Sequence, residues 1–143
     1  MTSGVFPDPS TPFGARVRQR LADEMVIWLT TTAADGTPQP NPVWFLFEDD
    51  TLLIYNLTSA HRLAHIARNP RVALNLNSTG NGGDVIVLAG RAEIVADQPP
   101  AHEVPAYAAK YGDDAAQVSG TVEAFSEQYS VAVRVTVDRV RGF

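Results

Sequence analysis

Prolines stand at every second position of Pro38-Gln39-Pro40-Asn41-Pro42, and the aromatic pair Trp44-Phe45 follows after Val43. Proline has no amide hydrogen to give to a β-ladder, so a strand built this way must lie at a sheet edge, its carbonyls and remaining amides unpaired. Such an open margin can hydrogen-bond a flat heterocycle. Adjacent strand residues face opposite sides, so one of Trp44 and Phe45 turns to the core and the other to a ligand or partner. Two core aromatics at a barrel end would explain the same pair.

A second constellation is Asn56-Leu57-Thr58-Ser59-Ala60-His61-Arg62, where small hydroxyl residues open a helix and a cation sits in its first turn. The free amides and positive end of a helix N-terminus suit a phosphate. Arg62 is unfavourable there alone and makes sense beside an anion, although capping by itself explains Ser59. His61 and His65 have a chelating spacing, but the zinc-protease pattern needs glutamate where Arg62 stands, so no metal is expected. Gly80-Asn81-Gly82-Gly83 lacks the spacing and following helix of a dinucleotide loop and reads as a flexible connection. There is no Gly-x-Ser-x-Gly elbow, and His102 lies in a proline-rich linker, which leaves a hydrolytic triad without support. The absence of cysteine removes disulfides, thiolate zinc sites, iron–sulfur clusters and thiol nucleophiles together.

The elements that must position these residues follow from periodicity. Thr11 as N-cap, Pro12 in the first turn and Phe13, Val17 and Leu21 at four-residue spacing predict an amphipathic helix over 12–24. Val26 to Thr32 reads as a strand entering a tight Asp35-Gly36 hairpin, and Thr37 to Phe47 as the second strand. Glu48-Asp49-Asp50 turns the chain into a third, Thr51 to Asn56. A short helix runs from Ser59 to Asn69 and stops at Pro70. Val72 to Asn77 alternates, with Asn75 and Asn77 on the face opposite Val72, Leu74 and Leu76. Asp84 to Val95 begins apolar on both faces, which suggests a second subunit against it. Helices are predicted from Pro105 to Tyr111, closed by Gly112, and from Thr121 to Gln128, with an acidic, mobile link between them. In the last strand, Tyr129 to Val140, the inward series Tyr129, Val131, Val133, Val135, Val137 loses parity at Val140, predicting a bulge near Asp138-Arg139. Six antiparallel strands with short helices predict a mainly-β, closed or nearly closed barrel.

Length and composition set the outer limits. The 143 residues suit one domain with one core, preceded by a flexible segment at residues 1–12. No apolar run approaches the ~20 residues of a membrane span. The N-terminus lacks a secretory signal, so the cytoplasm is the expected location. Eleven basic against 16 acidic side chains give a net charge of −5, which disfavours nucleic acid but permits a local basic pocket.

Leu29-Thr30-Thr31-Thr32, Asp35-Gly36-Thr37-Pro38, Pro42-Val43-Trp44-Phe45, Arg62 leading to Ile66, and Asn69-Pro70-Arg71-Val72-Ala73-Leu74 occur in an order and spacing that resembles the pyridoxamine 5'-phosphate oxidase-like superfamily. With the ending Tyr129-Ser130-Val131 to Arg134-Val135 and Val140-Arg141-Gly142-Phe143, the chain more closely resembles the branch of reductases that use the deazaflavin coenzyme F420. The resemblance implies an FMN-binding type of split β-barrel, a homodimer with two cofactor sites at the subunit interface. Pro42, Val43, Trp44 and Phe45 would line the ring system through their main chain. Ser59, His61 and Arg62 would hold the phosphate or anionic tail; the family commonly has lysine at Arg62, which carries the same charge with another geometry. Asn75 and Asn77 would add polar contacts, and Arg141 and Phe143 would close the site from the partner.

The implied reaction is hydride transfer between the deazaflavin and an unsaturated or conjugated small molecule. The cofactor carries the difficult step, which fits a chain with no evident catalytic residue; Tyr55 and the two helix histidines have the chemistry of proton donors. Three other functions remain open at this level. They are an FMN-dependent oxidase or carrier, a protein that sequesters F420 without turning it over, and a barrel stacking single-stranded nucleic acid on Trp28, Trp44, Phe45 and Tyr55. The last lacks a basic groove, since Lys110 is the only lysine.

Overall fold

The computed structural model describes residues 4–143. Helix α1, Pro12–Asp23, starts where the sequence places it: the Thr11 side chain accepts the Gly14 amide, and Pro12 occupies the first turn. Val17 and Leu21 on its inner face are fully buried. Of the leading segment expected to be flexible, residues 1–3 lie outside the described residues. Phe6 departs from that expectation, since its ring is buried and packs on Phe47 with centroids 5.4 Å apart.

Seven strands follow: β1 Val26–Thr32, β2 Pro38–Trp44, β3 Leu46–Glu48, β4 Thr51–Asn56, β5 Arg71–Asn75, β6 Ile86–Ile94 and β7 Val131–Gly142. All neighbours are antiparallel in the order β2-β1-β5-β6-β7-β4-β3. The expected count of six fails at one residue. The predicted second strand breaks at Phe45 into β2 and β3, which form opposite margins of the sheet. One chain segment thus bends from one edge to the other and brings both margins of the curled sheet together. Its curvature encloses Ile27, Leu29, Phe45, Leu52, Ile54, Leu74, Leu88, Val133 and Val135.

The bulge predicted near Asp138 is present. Gly90 pairs with Val137 and Ala89 with Arg139, leaving Asp138 as the extra residue. The β1–β2 hairpin also forms as read, with Gly36 at φ 88° and the Asp35 carboxylate accepting the Thr37 amide at 3.0 Å.

Helix α2, His61–Arg68, inserts Ile66 into the barrel core. Helices α3, Pro105–Ser119, and α4, Val122–Gln128, lie on the outside, a short 3₁₀ turn, Ala101–Glu103, preceding them. Here the structure corrects the sequence. Gly112 does not end α3; the helix continues through the stretch expected to be a mobile link and closes at Gly120, whose φ of 93° suits glycine. Tyr107, Tyr111 and Ala115, at four-residue spacing, are buried and hold that face to the barrel wall. The expectation of one core is corrected with it, because these residues join Leu46, Leu53, Tyr55, Phe125 and Ala132 in a second cluster outside the barrel. Tyr129, expected to point inward from the last strand, instead caps the C-terminus of α4.

Candidate functional site

Strand β2 is the open margin the prolines demand, and residues 38–42 are all exposed. Its pairing with β1 sets Pro38, Pro40 and Pro42 opposite Thr32, Thr30 and Trp28. Since proline cannot donate, the ladder runs through the intervening residues.

Where β2 ends, the margin meets aromatic surface. Trp44 stacks on Tyr111 at 4.8 Å and 3°, and on Phe125 at 5.4 Å and 18°; Phe125 stacks in turn on Tyr129 at 4.4 Å and 16°. Four near-parallel rings from β2, α3 and α4 make one column. Beside it opens a cavity of about 350 Å³, walled by Pro42, Val43, Trp44, Phe125 and Tyr129 and reached by Arg62. Leu57 and Val118, two of the few exposed large apolar side chains, also line it. Arg62 and Leu57 are shared with a second cavity of about 580 Å³ that contains Gln39, Asn41, Ser59, His61 and His65. No carboxylate lines either cavity. In a chain of net charge −5 that is a local reversal of sign.

Arg62 sits between the two. Its Nε donates to Asn56 Oδ1 at 2.6 Å, and among the described residues no carboxylate lies within ion-pairing distance of it. Burial pushes its pKa down from the usual arginine value, the sign of a guanidinium partly stripped of water. A desolvated cation without a counter-charge is suited to an anionic ligand.

The other expected site residues are distributed less simply. Ser59 is not the helix cap: α2 begins at His61 after Ala60 with no side-chain cap bond, and the Ser59 hydroxyl is exposed at the polar cavity. Phe45 is fully buried in the barrel core. Its amide donates to Tyr111 Oη at 2.9 Å and its carbonyl accepts from Lys110 Nζ at 2.9 Å, so neither main-chain group is open to a ring system. Asn75, Asn77 and Arg141 gather at a third cavity, about 500 Å³, where Asn77 Oδ1 accepts from Trp28 Nε1 at 2.9 Å. Phe143 is 68% exposed at the end of β7. Within one chain these four do not meet Arg62.

Two of the side chains considered as proton donors are engaged. Tyr55 lines the aromatic cavity but gives its proton to the Pro99 carbonyl at 2.7 Å, and burial raises its pKa. His65 Nδ1 lies 2.9 Å from the buried Thr31 hydroxyl. His61 is exposed at the polar cavity. Sequence reasoning missed Leu57, Tyr107, Val118, Phe125 and Tyr129 as lining residues. The Tyr107-Tyr111-Ala115 spacing was the available signal, obscured by Gly112.

An antiparallel sheet curled on itself, with one proline-edged margin and an outer helical layer, is a split barrel. The chain belongs to the pyridoxamine 5'-phosphate oxidase family, whose model matches residues 13–143. No curated protein matches it in sequence. Among solved structures it is similar in fold to an F420 reductase, with 21% identity, TM-score 0.61 and coverage of 87% of this chain and 94% of that one. It is also similar to an FAD-binding protein from Mesorhizobium loti, with 19% identity, TM-score 0.59 and 88% of each chain covered. A third similar structure is the haem storage protein HutZ from Vibrio cholerae, with 11% identity, TM-score 0.66 and coverage of 92% and 95%. At these identities the likeness is one of fold. Among the described residues no helix is long and apolar enough to cross a membrane.

Proposed function

We propose that this chain is a cytoplasmic, homodimeric oxidoreductase that uses the deazaflavin coenzyme F420 to exchange a hydride with an unsaturated small organic substrate. The observation that carries the reading is Arg62, a half-buried cation without a carboxylate partner among the described residues, set between an aromatic-walled cavity and a polar one.

The residues present fit such a cofactor. The wall of Pro42, Val43 and Trp44, backed by the ring column, offers a flat tricyclic system one apolar face, and the outward proline carbonyls of the β2 margin offer it hydrogen-bond acceptors. Ser59 and His61 line the polar cavity together with Arg62, which supports the reading that they contact the oxygens of an anionic tail. Asn75, Asn77, Arg141 and Phe143 belong to this scheme only through a second subunit. The bound deazaflavin supplies the carbon that gives or takes the hydride, and the chain need only orient the reactants and exclude water.

FMN has the same chemistry of flat ring and phosphate, and the FAD-binding relative of similar fold favours keeping a flavin as the second reading. Titration of the purified protein with F420 and FMN side by side, read by fluorescence, separates the two. Tighter binding of F420, followed by oxidation of the reduced form with an unsaturated acceptor, supports the proposal. Tighter FMN binding supports the second reading, F420 bound without turnover supports sequestration, and binding of neither overturns both flavin assignments. A solution mass of one 15.4 kDa chain instead of two would remove the interface site.

A further inference from the structure

Asn56, at the end of β4, is the only asparagine among the described residues with no exposed surface. Burying a carboxamide is costly unless each of its polar atoms finds a partner, and here each does. Nδ2 donates to the carbonyl of Ile54 at 3.0 Å and to that of Val131 at 3.0 Å, across the β4–β7 ladder. With both amide hydrogens fixed by carbonyls, the group cannot turn over without setting its oxygen against two other oxygens. Oδ1 must therefore face Arg62, whose Nε it accepts at 2.6 Å.

We propose that Asn56 is a positioning residue that holds the Arg62 guanidinium with its two terminal nitrogens turned to the ligand, and that it does so as a neutral group so that the positive charge survives. This rests on the anion-binding role given to Arg62 above. A guanidinium has five hydrogens to donate. Asn56 takes the one on Nε, and among the described residues no other protein acceptor engages the group. The remaining four are free for phosphate or carboxylate oxygens. An aspartate at position 56 would make the same contact through one oxygen, but it would cancel the charge and add repulsion toward an incoming anion.

The first test needs no cofactor. In ¹⁵N-labelled protein, with the Arg62 Nε signal identified by its loss in Arg62→Lys, hydrogen exchange at Arg62 Nε is expected to be at least tenfold slower than at the exposed Arg68. Exchange as fast as at Arg68 in the wild-type protein overturns the proposal whether or not any variant folds. Asn56→Ala should abolish the protection, and Asn56→Asp should keep it.

The second test uses whichever of F420 and FMN the wild-type protein binds, and inorganic pyrophosphate in either case. Affinity should fall about tenfold in Asn56→Ala and at least as far in Asn56→Asp, while the same ring system without its phosphate, riboflavin for FMN or the tail-free deazaflavin core for F420, should be affected less than threefold. Equal losses for the cofactor and its phosphate-free counterpart would mean that Asn56 is merely structural. If the wild type binds neither cofactor nor pyrophosphate, the functional assignment fails, and the exchange result still decides whether Asn56 fixes Arg62.

Discussion

The Lys110 ammonium donates to the Phe45 carbonyl oxygen across 2.9 Å and lies 4.0 Å above the centre of the same residue's ring. Phe45 is where the barrel segment bends from β2 into β3 and leaves the ladder on both sides, so its peptide groups need partners from outside the sheet. Helix α3 provides them through Lys110 and Tyr111. The outer layer therefore fixes the corner that carries Trp44 into the candidate site.

Lys110 gives stability a pH dependence. Burial pushes its ammonium down to about 8, while the carboxylates of Asp23 and Glu24 oppose the drop. A base whose pKa falls on folding binds its proton less well in the folded protein than in the unfolded chain, so stability should rise from about pH 8 toward about pH 10. Above that the trend should reverse, because burial pushes Tyr107 and Tyr111 up and the unfolded tyrosines then ionise first. Urea unfolding at intervals between about pH 7.5 and 9.5 checks this. Lys110→Met should flatten the rise, and an unchanged slope in that variant would contradict the assignment.

Tyr111→Phe should destabilise the fold by about 1–3 kcal/mol. The fully buried hydroxyl accepts the Phe45 amide at 2.9 Å and shares its proton between the carbonyls of Met25, at 2.7 Å, and Phe45, at 2.8 Å. Without it the Phe45 amide is buried and unpaired, whereas the carbonyl keeps Lys110. Equilibrium unfolding in urea measures the loss, and a change below about 0.5 kcal/mol would show that water or backbone movement satisfies the amide.

How far the chain could be read in advance depended on how local the cause was. The Thr11 cap, the Asp35-Gly36 hairpin and the parity slip at Asp138 are each determined within a few residues, and all three form as expected. Gly112 misled because a glycine inside a helix costs only ~1 kcal/mol, which the burial of Tyr107 and Tyr111 before it and Ala115 after it outweighs. The open β2 margin was legible from its prolines, and Arg62 from its awkward place at a helix start. The ring column was not, because Trp44, Tyr111, Phe125 and Tyr129 meet only after β2, α3 and α4 have packed.

The bulge at Asp138 sets which way the C-terminal residues face. Val137 and Val140 both face the core although three residues apart, because Asp138 is the extra residue between them. Deleting Asp138 should therefore straighten the strand, keep the Gly90–Val137, Ala89–Arg139 and Leu88–Val140 pairs in an unbulged ladder, and leave the half-buried Val140 on the core. Asp138→Asn, by contrast, removes only the partly exposed pair with Arg71 at 2.7 Å and should cost less than about 1 kcal/mol. Opposite the bulge, a methyl group at Gly90 would overlap the Thr136 carbonyl oxygen, and Gly90→Ala should cost about 1–3 kcal/mol. Thermal or urea unfolding of the three variants checks this; a deletion as costly as Gly90→Ala would mean that the bulge itself, and not only the parity it restores, holds the strand.

Arg62→Ala should weaken binding of the anionic cofactor by about 1.5–3 kcal/mol, the worth of a charge-assisted contact in a partly desolvated site. Arg62→Lys should recover part of this, since the ammonium restores charge but cannot reach Asn56 and the ligand in the same forked geometry. The unfolding free energy of the apoprotein should also fall in Arg62→Ala, by about 1–3 kcal/mol, because the buried Asn56 Oδ1 loses the Nε that it accepts. Binding should also weaken with added salt, and less so in Arg62→Ala, because the screened charge is then missing. Fluorescence titration of wild type and both variants at low and moderate salt gives the free energies directly. Equal affinity in wild type and Arg62→Ala would take the anion away from Arg62.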